Sequence, residues 1–120
     1  MSFETESQAV IEKNSDVALL VINLDTGAIA ATPKWRALNQ VPEGESVTRA
    51  LLMNTIATDS VAPYVEFSKA FFASDALNET ASIDLNLRTC KGDQFRGHVT
   101  AYKAKLGGTL CAITAMQPID

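Results

Sequence analysis

The clearest alternation of polar and apolar positions lies in the last third of the chain. Between residues 79 and 90, apolar side chains alternate with polar ones, so one face of the segment is apolar and the other polar. Residues 94–105 alternate in the same way, and residues 109–116 are apolar at almost every position. The turn sequences Lys91-Gly92-Asp93 and Leu106-Gly107-Gly108 separate these segments. The pattern predicts three consecutive antiparallel strands.

The first third of the chain predicts a β-hairpin. Residues 17–22 are apolar at odd and even positions alike. Asp25-Thr26-Gly27 has a turn sequence, and residues 28–31 form a second apolar run. A strand that is apolar on both sides must be covered on both faces of its sheet. We expect that cover from a short amphipathic helix over residues 4–13 or from a second copy of the protein.

The middle of the chain predicts short helices. Thr32 followed by Pro33 indicates one helix start, and Trp35 and Leu38 then share a face. A second helix is expected from Ser46 to Met53. The longest helix is expected over residues 60–74, with Thr58-Asp59-Ser60 as its cap and Ser74-Asp75 as its end. The residues expected to turn inward from these two helices are Val47, Ala50, Leu51, Leu52, Val61, Tyr64, Val65, Phe67, Ser68, Phe71 and Phe72.

Together these elements predict an α+β fold, a five-stranded antiparallel sheet with short helices packed on one face. A chain of 120 residues has room for one core, so we assign residues 1–15 to a capping helix or linker and residues 16–118 to one domain. The net charge is −4 and the basic residues are scattered, which argues against binding nucleic acid or a membrane surface. The start is acidic and no apolar run could span a bilayer, so we expect a cytoplasmic protein whose Cys90 and Cys111 are free thiols.

In order and spacing, nearly the whole chain resembles a PAS domain, the sensory box family. The resemblance rests on Asp25-Thr26-Gly27 between two apolar strands, on Asp59 before the long helix, and on the turns at residues 91–93 and 107–108. Thr32 stands where many members have Asn, and the Asp-Ile-Thr signature that closes many members is absent from residues 116–120. The resemblance implies a non-enzymatic sensory module that binds a small ligand or forms dimers. It also implies a C-terminal effector domain in a larger protein of two-component or cyclic-di-GMP signalling.

The resemblance also implies where a ligand would bind and which cofactors are not expected. A haem-binding member would carry a histidine on the long helix, and a flavin photosensor a reactive cysteine in the helical middle, but residues 46–74 contain neither. We therefore predict no cofactor and no metal, although an unidentified small molecule could bind. A homodimer is expected through the N-terminal helix and the sheet face. The pocket candidates are Thr32, Trp35, Tyr64, Phe67, Ser68, Phe71, Leu85, Leu87, Val99 and Thr114.

Two alternatives remain open from the sequence. The domain could be a dimerisation scaffold without a ligand, or a homodimeric aspartic protease in which Asp25 supplies one catalytic carboxylate. The protease hypothesis requires an almost wholly β chain with a glycine-rich flap, whereas residues 46–74 have a helical pattern and no glycine. His98, the only histidine, is expected to point away from the inward side chains of Phe95 and Val99. No catalytic residue is therefore predicted.

Overall fold

A computed structural model of the protein describes residues 3–74 and 79–119. It contains four α-helices, one 3₁₀ turn and five strands within these ranges, which confirms the predicted α+β class. In chain order they are α1 (Phe3–Lys13), β1 (Leu19–Asn23), β2 (Ile29–Ala31), α2 (Pro33–Leu38), α3 (Arg49–Asn54), a 3₁₀ turn (Thr58–Ser60), α4 (Val61–Ala73), β3 (Ala81–Arg88), β4 (Gln94–Leu106) and β5 (Thr109–Ile119).

The five strands form one antiparallel sheet in the order β2-β1-β5-β4-β3. The first strand of the chain therefore lies beside the last, with Leu20 opposite Thr114. β1 and β5 lie where α1 packs on one face of the sheet and Trp35 and Val47 pack on the other, and this cover on both faces explains why both strands are apolar at odd and even positions alike. The predicted five-stranded antiparallel sheet is confirmed.

Several predicted boundaries are wrong by a few residues. The strand expected over residues 79–90 ends at Arg88, so Cys90 lies in the following turn and not on a strand. The last strand continues beyond residue 116 to Ile119 because it pairs with the long strand β4 along its whole length. α3 begins at Arg49 and not at Ser46, because the side chain of Thr48 caps it by accepting a hydrogen bond from the Leu51 amide. The predicted helix end at Asp75 lies outside the described residues.

The Asp25-Thr26-Gly27 segment is a hairpin turn, as its sequence predicts. The side-chain oxygen of Asn23 accepts hydrogen bonds from the amides of Asp25 and Thr26, at 2.9 and 3.1 Å. Gly27 has a φ of 80°, a left-handed conformation that glycine adopts without strain. Asp25 is exposed in this turn, and residues 49–73 are mainly helical, so the chain does not have the β fold that the protease hypothesis requires.

The outer face of the sheet, defined here as the side that α1 covers, carries one apolar cluster. Ile11 of α1 packs there with Leu19, Val21, Cys111 and Ile113 of the central strands. α1 is also joined to the β4–β5 turn, where the Gly107 amide donates to the Glu6 carboxylate. The N-terminal helix thus provides the cover that was expected from either that helix or a second copy.

The inner face is the opposite side of the sheet, and α2, α3 and α4 lie over it as predicted. It carries two clusters, one around Trp35 and Leu20 and the other around Leu85 and Leu87, and Met116 packs against both. The side chain of Trp35 is only 1% exposed. The inner face is therefore closed at the α2 end and along β3.

Thr32 joins the hairpin to α2 at this closed end. Its buried hydroxyl accepts hydrogen bonds from the Leu19 and Trp35 amides and donates one to the Val17 carbonyl. The amide of Trp35 is an orphan donor at the helix start, so this contact is an N-cap. One side chain thus fixes the end of β1 and the start of α2 together.

Candidate ligand-binding site

α4 is more exposed than its sequence predicts. The broad apolar face was expected to turn inward, but no side chain of α4 is fully buried. Phe72 is 52% exposed and Val65 is 37% exposed, although both are large and apolar. The prediction that these residues belong to the core is wrong, because α4 is not embedded in the inner face over its whole width.

The N-terminal end of α4 is attached to strand β3 by polar contacts. The Asn86 amide donates to the hydroxyl of Ser60, at 2.9 Å, and the Asn86 side chain donates to the carboxylate of Asp59, at 3.1 Å. The Ala57 amide donates to the Asn86 carbonyl at 3.0 Å. The start of the helix is therefore fixed to the edge of the sheet at Asn86.

The C-terminal end of α4 is attached to strand β4 by a buried lysine. The ammonium of Lys103 donates to the carbonyl of Ser74, which follows the helix, and lies 5.0 Å from the centre of the Phe71 ring. A cation at a helix C-terminus satisfies an orphan carbonyl and interacts favourably with the helix dipole. Lys103 is only 4% exposed, although lysine is rarely buried unless it is paired. Both ends of α4 are thus fixed on the β3–β4 side.

A cavity of about 800 Å³ separates α4 from the β1–β2 hairpin. Its volume lies in the range of small-molecule sites, roughly 300 to 1,000 Å³. The cavity is partly open to solvent and its lining is mainly apolar. The lining residues are Ile22, Asn23, Leu24, Gly27 and Ile29 of the hairpin, Arg49, Leu52 and Met53 of α3, and Tyr64, Val65, Ser68, Lys69, Phe72 and Ala73 of α4.

The polar groups of the cavity are concentrated on α4 and at the start of α3. Tyr64 and Ser68 are one helical turn apart, and both line the cavity. Within residues 3–74 and 79–119, neither hydroxyl has a hydrogen-bond partner, so both can bind a ligand. Lys69 and Arg49 add two positive charges, and no carboxylate is among the lining residues that the structure describes. The cavity therefore combines apolar walls with a few donors.

Four of the ten predicted pocket residues lie at cavities. Tyr64 and Ser68 line the large one, as described above. Phe67 and Phe71 line a second cavity of about 160 Å³ beside Lys103, on the other side of α4. The rings of Phe67 and Phe71 are stacked, with their centres 6.3 Å apart. The aromatic residues of α4 are thus divided between the two sides of the helix.

The other six predicted pocket residues lie away from the large cavity. Trp35, Leu85, Leu87 and Val99 are core residues, packed in the two inner-face clusters. Thr32 is occupied with backbone hydrogen bonds. Thr114 is partly buried on the inner face of β5, between Leu20 and Ala101. The structure brings these side chains together as packing and capping groups.

The sequence analysis did not identify Arg49, Lys69, Met53 or the hairpin residues Ile22 and Ile29 as parts of a site. Single charges on predicted helices are normally solvated, and apolar hairpin residues are normally core, so neither type stood out. The signal that was available is the excess of apolar residues on α4. The four large aromatic side chains of this 13-residue helix are spread over a wider arc than a core-facing stripe of about 100°.

Neither cysteine and no histidine lies at the large cavity. Cys111 packs in the outer-face cluster, Cys90 is exposed in the turn after β3, and His98 is on the outer face with its ring 2.6 Å from the Asp84 carboxylate. The outward direction of His98 agrees with its strand alternation. The residues of the cavity therefore do not include the thiol of an adduct-forming flavin site or the imidazole of a haem site.

Two further features are absent from the described ranges. Residues 3–74 and 79–119 contain no group of three His, Cys, Asp or Glu side chains placed to share a metal ion. In the same part of the chain, no helix has the length and apolar character needed to cross a membrane.

Comparison with solved structures identifies the fold. The PAS domain of an HTR-like protein from Haloarcula marismortui has a TM-score of 0.68 and 17% identity, over 97% of this chain and 93% of that one. The LOV protein of Rhodobacter sphaeroides has a TM-score of 0.71 and 10% identity, over 97% and 68%. A sensory box histidine kinase/response regulator from Burkholderia thailandensis E264 has a TM-score of 0.63 and 17% identity, over 95% and 84%.

The chain has the PAS fold, which confirms the resemblance seen in its sequence. No protein-family model matches the sequence, and no curated protein matches it. At these low identities the likeness is one of fold, and a fold hosts many functions. What the domain binds must therefore be argued from its own cavity.

Proposed function

We propose that the protein is a sensory domain of the PAS type that binds a small organic molecule in the large cavity, between the β1–β2 hairpin and α4. The observation that carries this proposal is the cavity itself, which has a volume of about 800 Å³ and is lined by apolar walls and by Tyr64 and Ser68. Convergent polar groups in an apolar cavity are the usual composition of a ligand site.

The attachment of α4 supports a role in signalling. The helix is held at its two ends by Asn86 and Lys103, while its middle faces the cavity. A ligand that touches both Ser68 of α4 and Ile29 of the hairpin would link two elements that the cavity otherwise separates. Binding would then favour one position of α4 over others, which is how a ligand changes a conformational equilibrium.

The wider setting is part of the same proposal. We infer a non-enzymatic input domain of a cytoplasmic signalling protein, with an effector domain after β5. The solved neighbours include a PAS domain of a two-component sensor histidine kinase, which supports this setting by analogy of fold. We propose a metabolite without a cofactor, since Cys90, Cys111 and His98 lie away from the cavity. A flavin or haem absorption band in the purified protein would contradict that part.

Native mass spectrometry of the purified protein, followed by thermal-shift screening of metabolites, tests ligand binding. We expect a bound molecule or a metabolite that raises Tm, because a ligand of the folded state stabilises it. Ser68→Phe should abolish the shift by filling the cavity. Ala62→Phe is the matched control, since Ala62 is exposed on α4 and does not line the cavity. A shift that survives Ser68→Phe, or a protein that binds nothing in either experiment, would contradict the proposal.

A second candidate is a pairing module without a ligand, forming a homodimer through α1 and the sheet face. The face that remains beside α1 is exposed and carries polar pairs such as Asp84 with His98 and Asn86 with Arg96, so a second copy would meet it through polar contacts. The apolar strands themselves no longer require a second copy, because α1 covers them. Light scattering at rising protein concentration tests this candidate, and a monomer at high micromolar concentration would contradict it.

A further inference from the structure

The cavity has a charge asymmetry that indicates the chemical class of its ligand. The whole chain carries a net charge of −4, with 14 acidic and ten basic residues. Among residues 3–74 and 79–119, the lining nevertheless contains two cations, Arg49 and Lys69, and no carboxylate. A partly enclosed apolar site with one sign of charge concentrates small ions of the opposite sign.

Arg49 differs from the other arginines in its contacts with the part of the chain that the structure describes. Within the described ranges, neither Arg49 nor Lys69 forms an ion pair or a hydrogen bond. The other three arginines each donate to an oxygen of the protein, Arg36 to the Glu45 carbonyl, Arg88 to the Asn54 carbonyl and Arg96 to the Asn86 side chain. A guanidinium presents several donors in a fixed fork, and this fork matches a carboxylate. Arg49 therefore has its full donor set available at the cavity.

The apolar walls of the cavity limit the class of ligand further. Phe72 is large, apolar and about half exposed at the cavity, and Met53, Ile22 and Ile29 add more apolar surface. A small hydrophilic acid would leave this surface in contact with water, whereas an apolar body would cover it. The hydroxyls of Tyr64 and Ser68 can donate to an acid as well.

We propose that the cavity binds an apolar organic acid, with its carboxylate at Arg49 and Lys69 and its aliphatic or aromatic body against Phe72 and Met53. This inference rests on the proposed function, because it assigns a ligand class to the same cavity. No covalent step is involved. The acid is recognised by its charge at one end and by its apolar area at the other.

A matched set of three compounds tests the inference by calorimetric titration. The compounds are 4-phenylbutyrate, its neutral amide and the corresponding amine, which share one carbon skeleton and differ in charge. We expect the acid to bind roughly fivefold or more tightly than the amide, and the amine to bind weakest. Raising the salt from about 50 to about 500 mM should lower the affinity of the acid and leave the affinity of the amide nearly unchanged.

Variants assign the preference to the two cations. Arg49→Gln and Lys69→Gln should each reduce the preference for the acid over the amide by roughly threefold or more, since exposed charges contribute modestly. Lys34→Gln is the control, because Lys34 is an exposed lysine on α2 that does not line the cavity. Arg49 and Lys69 are both exposed, so the Tm of each variant should remain close to that of the parent protein.

The outcomes separate this inference from the proposed function. Equal affinity for the acid and the amide would overturn the inference, but the proposed function as a ligand-binding domain would stand. A preference for the acid that survives both substitutions would also overturn it, since the cations would then not be its source. Failure of all three compounds to bind at millimolar concentration would overturn the inference, whereas a molecule found by native mass spectrometry would still support the proposed function.

Discussion

The two faces of the sheet are covered in different ways. On the outer face, α1 is mostly polar, yet it buries Ile11 and Ser7 almost completely. On the inner face, α4 is far more apolar, yet none of its side chains is fully buried. The helix with the weaker apolar face therefore packs more closely on the sheet than the helix with the stronger one.

The difference shows that attachment, and not composition alone, determines how closely a helix packs. α1 lies across the central strands and is joined to the β4–β5 turn through Glu6. α4 is fixed through Asn86 and Lys103 at one side of the sheet, so its other side faces the cavity. The apolar surface of α4 is thus available for a ligand because its polar contacts hold it away from the hairpin.

The comparison predicts its largest contrast for apolar truncations on the two helices. Ile11→Ala should lower the free energy of unfolding by about 2 to 4 kcal/mol, because it leaves a void in the outer-face cluster. Phe72→Ala removes a larger side chain but should cost less than about 1 kcal/mol, since Phe72 is 52% exposed. Urea unfolding of both variants measures this. An equal or larger loss for Phe72→Ala would mean that α4 is packed on the sheet after all.

A smaller contrast is expected between two threonine caps. Thr32→Val should cost about 2 kcal/mol, because it removes a buried hydroxyl that serves the Leu19 and Trp35 amides. Thr48→Val removes the cap of α3 at an exposed position and should cost about 0.5 to 1 kcal/mol. The denaturant midpoints of the two variants, measured at an unchanged m-value, compare the two losses of stability. If the two losses were the same, Thr32 would be an ordinary helix cap and not a joint between β1 and α2.

The attachment of α4 predicts a local effect more than a global one. Lys103→Met keeps the aliphatic bulk but removes the donor to the Ser74 carbonyl, so the global cost should be only about 1 kcal/mol. Hydrogen exchange within Val61–Ala73 should become faster, since one end of the helix is released. Lys105→Met, at an exposed position of β4, is the matched control. Unchanged exchange in α4 would show that Lys103 does not hold the helix.

Much of the fold is encoded in local sequence patterns. The alternation in β3 and β4, the Asp25-Thr26-Gly27 turn and the two-sided apolar strands β1 and β5 all predict the observed sheet, because each reflects burial of one or both strand faces. Boundaries were less accurate where pairing or capping decided them. β5 continues to Ile119 along its partner, and α3 begins only after Thr48.

The candidate site was harder to predict than the fold. Tyr64 and Ser68 could be selected because polar groups on an apolar helix face are unusual. Leu85, Leu87 and Val99 alternate with polar residues, and residues that line a pocket would show the same pattern. Only the packing of the folded chain shows that these three belong to the core. Lys103 shares the parity of Val99 and Ala101, and it is buried because its ammonium reaches the end of α4, a contact distant in sequence.

The two cysteines give the smallest predicted contrast, and they test how well the outer face is closed. Burial raises the pKa of the Cys111 thiol above its ordinary value of 9.0, and the nearby carboxylates of Asp25 and Glu6 add to this effect, whereas a backbone hydrogen bond at Leu106 opposes it. In the folded protein Cys111 should therefore react much more slowly with a thiol reagent than Cys90, which is exposed. Above pH 9.0 the unfolded chain loses this proton first, so stability should fall as pH rises.

Cys111→Ala should reduce the slope of that fall by less than about 1 kcal/mol per pH unit. Cys90→Ala, at an exposed position in the turn, is the matched control. Chemical unfolding at several alkaline pH values measures both slopes, and comparison of the two variants cancels the titration of other groups. Equal labelling rates for the two thiols would mean that α1 leaves the sheet often enough to expose Cys111, and the outer face would then be no better closed than the inner one.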